Sequence, residues 1–88
     1  MPRRQVVTIH TGTIALGALL KWAGVVATGG EAKALIAARR VLVNGQVETR
    51  RARRVGAGDL VAVQGGPTLV VEQAHGVPAP PALAPDVP

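Results

Sequence analysis

The sequence predicts a single α+β domain in which two N-terminal helices pack on a small antiparallel β-sheet. Three observations carry that prediction. Apolar residues recur at helical spacing only in the first half of the chain, and the period switches to two around Asn44-Gly45. The apolar supply is nearly all Val, Ala and Leu, with Trp22 as the one residue among Phe, Tyr and Trp. Eighty-eight residues make one core with no second module. That core must be aliphatic and modest, which suits two layers.

Val6, Val7 and Ile9 can add an edge strand at the start. From Ile14 to Ala23, the residues Leu16, Leu19, Leu20 and Ala23 form an i, i+3, i+4, i+7 stripe, with Thr13 as N-cap and Gly24 as C-terminal stop. Trp22 lies on the flank of that stripe, which favours core packing over base stacking. Thr28-Gly29-Gly30-Glu31 is a capping box that opens the second helix. The helix is expected to run through Arg40, with Ala32, Leu35 and Ile36 inward and Lys33, Ala37 and Arg40 on another face.

Val41 to Val47 alternates about Asn44-Gly45, a pair suited to the type I′ turn of a tight hairpin. Arg50-Arg51-Ala52-Arg53-Arg54 then puts arginine on both faces of any extended chain, so an exposed loop or edge is expected. Val55 to Asp59 has turn chemistry, Leu60 to Val63 reads as a strand, Gly65-Gly66-Pro67 as a turn and Thr68 to Val71 as a last strand. Residues 73–88 hold five of the seven prolines, a composition expected of a flexible tail behind a domain of residues 1–72.

The net charge is +5, and all ten cations lie at or before Arg54. Residues 1–71 carry those ten cations against Glu31, Glu48 and Asp59, a net +7. Such a balance points to a polyanionic partner, nucleic acid before an anionic membrane. Arg3 and Arg4 before an uncharged run imitate a secretory signal, but Thr8, His10, Thr11, Gly12, Thr13 and Gly17 dilute it. The run is also too short and polar to span a membrane. The absence of cysteine excludes disulfides, thiolate zinc and thiol nucleophiles and suits a reducing compartment, so the cytoplasm is expected. His10 and His75 lack metal-ligand spacing, and no nucleophile-base set, carboxylate pair or phosphate loop offers catalysis. No cofactor and no enzymatic activity are expected.

Taken in order, Thr28-Gly29-Gly30-Glu31-Ala32-Lys33 with Leu35-Ile36, Val41-Leu42-Val43-Asn44-Gly45, and Gly58-Asp59-Leu60-Val61 resemble the RNA-binding domain named after ribosomal small-subunit protein four, the S-four domain or alpha-L motif. The match covers about residues 14–63. Leu20-Lys21-Trp22 before it and Glu48-Thr49-Arg50-Arg51 after it look most like stand-alone bacterial members that consist of little else. The resemblance implies contact with folded RNA, ribosomal or transfer RNA; whether that contact is made on the ribosome is left open by the sequence. Carried onto this chain, the contacts are Thr28, Lys33, Arg39, Arg40, Arg50, Arg51, Arg53 and Arg54. Two departures stand out: Gly29 and Gly30 replace the usual Arg-Arg or Ser-Arg, and the arginine run is denser than the family pattern.

Each contact has its own chemistry. Gly29 and Gly30 at a helix N-terminus could cradle a phosphate, but Glu31 already occupies that field, so capping is the stronger role for Thr28 to Glu31. Arginine forks onto phosphate oxygens and stacks on bases. With one aromatic platform at most, recognition by shape and backbone is expected over sequence reading. Glu48 is expected to temper the arginines and Asp59 to shape its turn. Replacing Arg50, Arg51, Arg53 and Arg54 together by Ala is expected to weaken binding without unfolding the chain. Duplex DNA is the alternative ligand, docking on an acidic protein ranks behind it, and a monomer with no membrane association is expected.

Overall fold

A computed structural model describes residues 4–74. The elements, in chain order, are β1 (Arg4–Ile9), β2 (Thr13–Ala15), α1 (Leu16–Trp22), α2 (Gly29–Ala37), β3 (Val41–Val43), β4 (Gln46–Val47), β5 (Arg54–Gly56), β6 (Leu60–Val63) and β7 (Thr68–Gln73). Two helices and a sheet are present as expected, but the sheet is mixed. Its five strands run β1-β7-β6-β3-β4, and β1 pairs parallel to β7 while the other pairings are antiparallel. A separate antiparallel pair joins β2 to β5.

Period-two patterning decides which sheet face is covered. Val7, Ile9, Val41, Val43, Val61, Val63, Leu69 and Val71 alternate inward along their strands, and the registers Val7 to Val71, Leu69 to Val61 and Val61 to Val43 put them on one face. Leu16, Leu19, Leu20, Ala32 and Ile36 from the helices join them in one aliphatic cluster. Val55 of β5 belongs to it too, which corrects the reading of Val55 to Asp59 as turn throughout. Its strand is only three residues long, and pairing with β2 rather than local propensity makes it one.

The first helix starts later than its apolar stripe suggests. Thr13 is not its N-cap: Thr13 to Ala15 is extended, and Ala15 occupies the cap with no side-chain hydrogen bond. Its first amides are satisfied from a distance, Leu16 N–H donating to Arg53 O at 2.8 Å and Gly17 N–H to Arg51 O at 3.0 Å. Gly24, at φ 77°, ends the helix as expected. Val25 N–H returns to Leu20 O and Gly24 N–H to Lys21 O, the paired bonds of a Schellman motif.

The second helix begins at its capping box. Thr28 Oγ1 accepts from Glu31 N at 3.1 Å, and Glu31 Oε1 accepts from the amides of Thr28 and Ala27. Thr28→Ala is expected to cost about 1 kcal/mol, lowering the thermal midpoint by roughly 4–8 °C for a domain of this size. A calorimetric midpoint unchanged in T28A would show that the box does not hold the helix. The helix does not reach Arg40. It stops at Ala37, because Arg39 turns left-handed at φ 63° and the amides of Arg39 and Arg40 fold back to Ile36 O and Leu35 O.

The hairpin is as read: Asn44 at φ 52° and Gly45 at φ 87° form the turn between β3 and β4. Asn44 also clips the sheet end, accepting from Leu60 N at 2.9 Å and donating to Asp59 Oδ1 at 3.1 Å. Asp59 Oδ2 takes Gly56 N–H at 2.8 Å. These two bonds, the Gly56 amide foremost, hold the Asp59 carboxyl below its ordinary range, and they show how it shapes its turn. The expected tail over 73–88 lies outside the described residues from 75 onward, as does His75; Gln73 itself closes β7.

Trp22 is not in the core. It is 59% exposed, its Nε1 donates to Thr8 O at 2.8 Å, and its ring meets His10 edge to face with centroids 6.4 Å apart.

Candidate nucleic-acid interface

The arginine loop is a held structure. Its carbonyls at Arg51 and Arg53 cap the start of α1, and Arg53 N–H closes a turn onto Arg50 O at 3.2 Å. Beneath it lies Glu48, the one charged side chain among the described residues that is buried. Glu48 Oε2 accepts from both the backbone N–H and the Nε of Arg50, at 3.0 and 3.1 Å, while Oε1 accepts from Arg53 at 2.9 Å. Hydrogen bonds from the Arg53 side chain, then the Arg50 side chain and amide, hold the carboxyl down at about 2. Tempering of the arginines is therefore direct pairing.

That arrangement divides the four arginines by role. Arg53 is half-buried against Glu48 and ties the loop down, so the expectation that no face of this run is covered needs correcting. Arg54 is exposed but spans to β2, donating to Thr13 Oγ1 at 3.1 Å and Thr13 O at 3.3 Å. Arg50 keeps most of its side chain in solvent beyond the Nε contact, 76% exposed. Arg51 is exposed and its side chain makes no hydrogen bond among the described residues; its stem lies over Gly17, where a Cβ would sit 2.5 Å from Arg51 Cγ. A side chain at position 17 would therefore push Arg51 off the first turn of α1. Removing all four arginines would also strip Glu48 of its side-chain partners, leaving it only the Arg50 amide, so that fourfold replacement mixes loss of contact with loss of structure.

The remaining candidates lie elsewhere in the fold. Lys33 is exposed on α2. Arg39, left-handed and exposed, lies just past the end of α2. Arg40 leaves the helix altogether and docks on the β6–β7 turn, its guanidinium donating to Gln64 O at 3.0 Å and its carbonyl accepting from Gln64 N at 2.8 Å. The shared helical face of Lys33 and Arg40 is thus broken by the turn at Arg39. Thr28 spends its hydroxyl oxygen on the cap, and Glu31 sits at the same helix end, so that end offers a poor seat for phosphate. Buried Glu48 is what the sequence concealed: its spacing of two and five residues from Arg50 and Arg53 is the signal that could have found it.

Among the described residues, no group of three or more His, Cys, Asp or Glu could hold a metal ion, and no helix is long and apolar enough to cross a membrane.

The family model described as the S4 domain matches residues 7–72. That span takes in both helices, the arginine loop and nearly all of both sheets. A Bacillus subtilis (strain 168) protein described as "Probable ribosome maturation protein RlbA" is 41% identical over 59 residues, 67% of this chain and 83% of that relative. The architecture of two helices on a mixed sheet agrees with the match, and the chain belongs to the S4 domain family.

Proposed function

We propose that this domain binds structured RNA in the cytoplasm without catalysing a reaction on it, and that the arginine loop is its principal contact. The observation that carries this reading is the anchoring of the loop: two of its backbone carbonyls accept from the first amides of α1 and a buried carboxylate pairs with it, while Arg50 and Arg51 stay exposed. Ordering a loop of long side chains on binding costs conformational entropy, and a frame already held reduces that cost. Guanidinium groups so presented suit phosphate oxygens along a folded backbone rather than base edges. The relative's description as a probable ribosome maturation protein supports testing ribosomal RNA, on the ribosome or its precursors, as the first ligand.

Affinity measured across a salt series on ribosomal RNA fragments, transfer RNA and duplex DNA tests the reading. With about five phosphates neutralised, log affinity is expected to fall against log salt with a slope of roughly −3 to −5, and RNA is expected to outcompete DNA. A salt-independent affinity, or tighter binding to the DNA duplex, would overturn it.

A further inference from the structure

We infer that Trp22 is a stacking platform for one unpaired nucleobase next to the phosphates held by the arginine loop, an assignment that rests on the proposed RNA binding. The apolar stripe of α1 is spent on the core: Leu16, Gly17, Leu19 and Leu20 are buried. Its outward face is Ala18, Lys21 and Trp22, spaced i, i+3, i+4. Arg51 rests on Gly17 at the start of this helix, and Trp22 ends it. Five residues separate them, about 7.5 Å along the axis and about 140° around it at 3.6 residues per turn, so a strand passing from the loop to the indole crosses the outward face at Ala18 and Lys21.

Three features single out a base as the occupant. The indole N–H, the ring's one polar group, is already satisfied by Thr8 O, and the ring packs edge to face with His10, so the side chain is held while 59% exposed. A fixed exposed indole offers a π surface that every base can use. Lys21, beside it on the same face, supplies a cation for the attached phosphate, and the arginine loop, held at the other end of α1, extends the positive charge. Ala18 between the two ends leaves the path low.

Trp22 is the chain's only tryptophan and there is no tyrosine, so its emission reports this position alone. Binding of the whole protein is compared between a blunt RNA hairpin and the same hairpin carrying one unpaired adenine at the 5′ end, the 3′ end or in a bulge. At least one of the three is expected to bind about fivefold or more tightly than the blunt form and to quench the indole, which the blunt form leaves unchanged. Trp22→Leu is expected to abolish the preference while keeping blunt-hairpin affinity. Trp22→Phe, lacking the N–H but keeping a ring, should retain part of it. Equal affinities with unchanged emission, a preference that survives in W22L, or an equal loss on every hairpin in W22L would each overturn the assignment and leave RNA binding standing. If no hairpin binds at all, the proposed function falls and this inference with it.

Discussion

Alanine at both Arg50 and Arg51 is expected to weaken binding to structured RNA by about 2–4 kcal/mol, roughly thirty- to eight-hundredfold, taking each exposed charge-assisted contact at about 1–2 kcal/mol after screening. The fold should survive. Arg51 gives no side-chain hydrogen bond among the described residues, and the Arg50 amide, which alanine keeps, still reaches Glu48. Arg53 remains to pair the carboxylate. The slope of log affinity against log salt should become shallower by roughly 1.5–2, because two fewer phosphates release counterions. The double lysine variant separates charge from shape. It should keep the salt slope yet recover only part of the affinity, since an ammonium cannot fork onto two phosphate oxygens. Unchanged affinity in the double alanine variant, measured by labelled-RNA titration, would move the site away from the loop, with Lys33 and the Arg39–Arg40 corner next in line.

Local signals were legible in the sequence; features decided by distant partners were not. Thr28 and Glu31 close a cap within four residues, and Asn44-Gly45 adopts the two positive φ values its residue types favour, so both were readable. The start of α1 was not, because its first amides are taken by carbonyls some 35 residues later. Alternation in β1 shows which side chains point inward but says nothing of strand direction, and the parallel pairing to β7 is a tertiary choice. Helix α2 is shorter than its pattern predicts because Arg39, not glycine, takes the left-handed position that ends it. Trp22 sat on the margin of an apolar stripe, where a turn of one residue separates core from solvent. The loop's location is plain from four arginines in five residues; its frame depends on Glu48, whose spacing from Arg50 and Arg53 signals pairing but not burial.

That carboxylate yields the second large effect. Glu48→Gln raises the net charge of the chain from +5 to +6, so if Glu48 only tempered the basic field, RNA binding should strengthen. The opposite is expected. A glutamine offers one acceptor oxygen and one NH2 group where the carboxylate accepts from Arg53 on one oxygen and twice from Arg50 on the other, so a donor must face a donor. Half-buried Arg53 is left underpaired, the loop frame loosens and affinity should fall, with the thermal midpoint dropping by several degrees. The acid response gives an independent check. The carboxyl is held at about 2 against an ordinary 4.5, so its stabilising contribution is fully present above pH 4.5 and is lost as pH falls through about 2. Asp59, also depressed, contributes in the same direction in both proteins. The stability gap between wild type and E48Q should therefore be constant above pH 5 and close steadily between pH 4.5 and 2. A gap that does not close, or tighter RNA binding by E48Q at neutral pH, would show that Glu48 does not position the arginine loop.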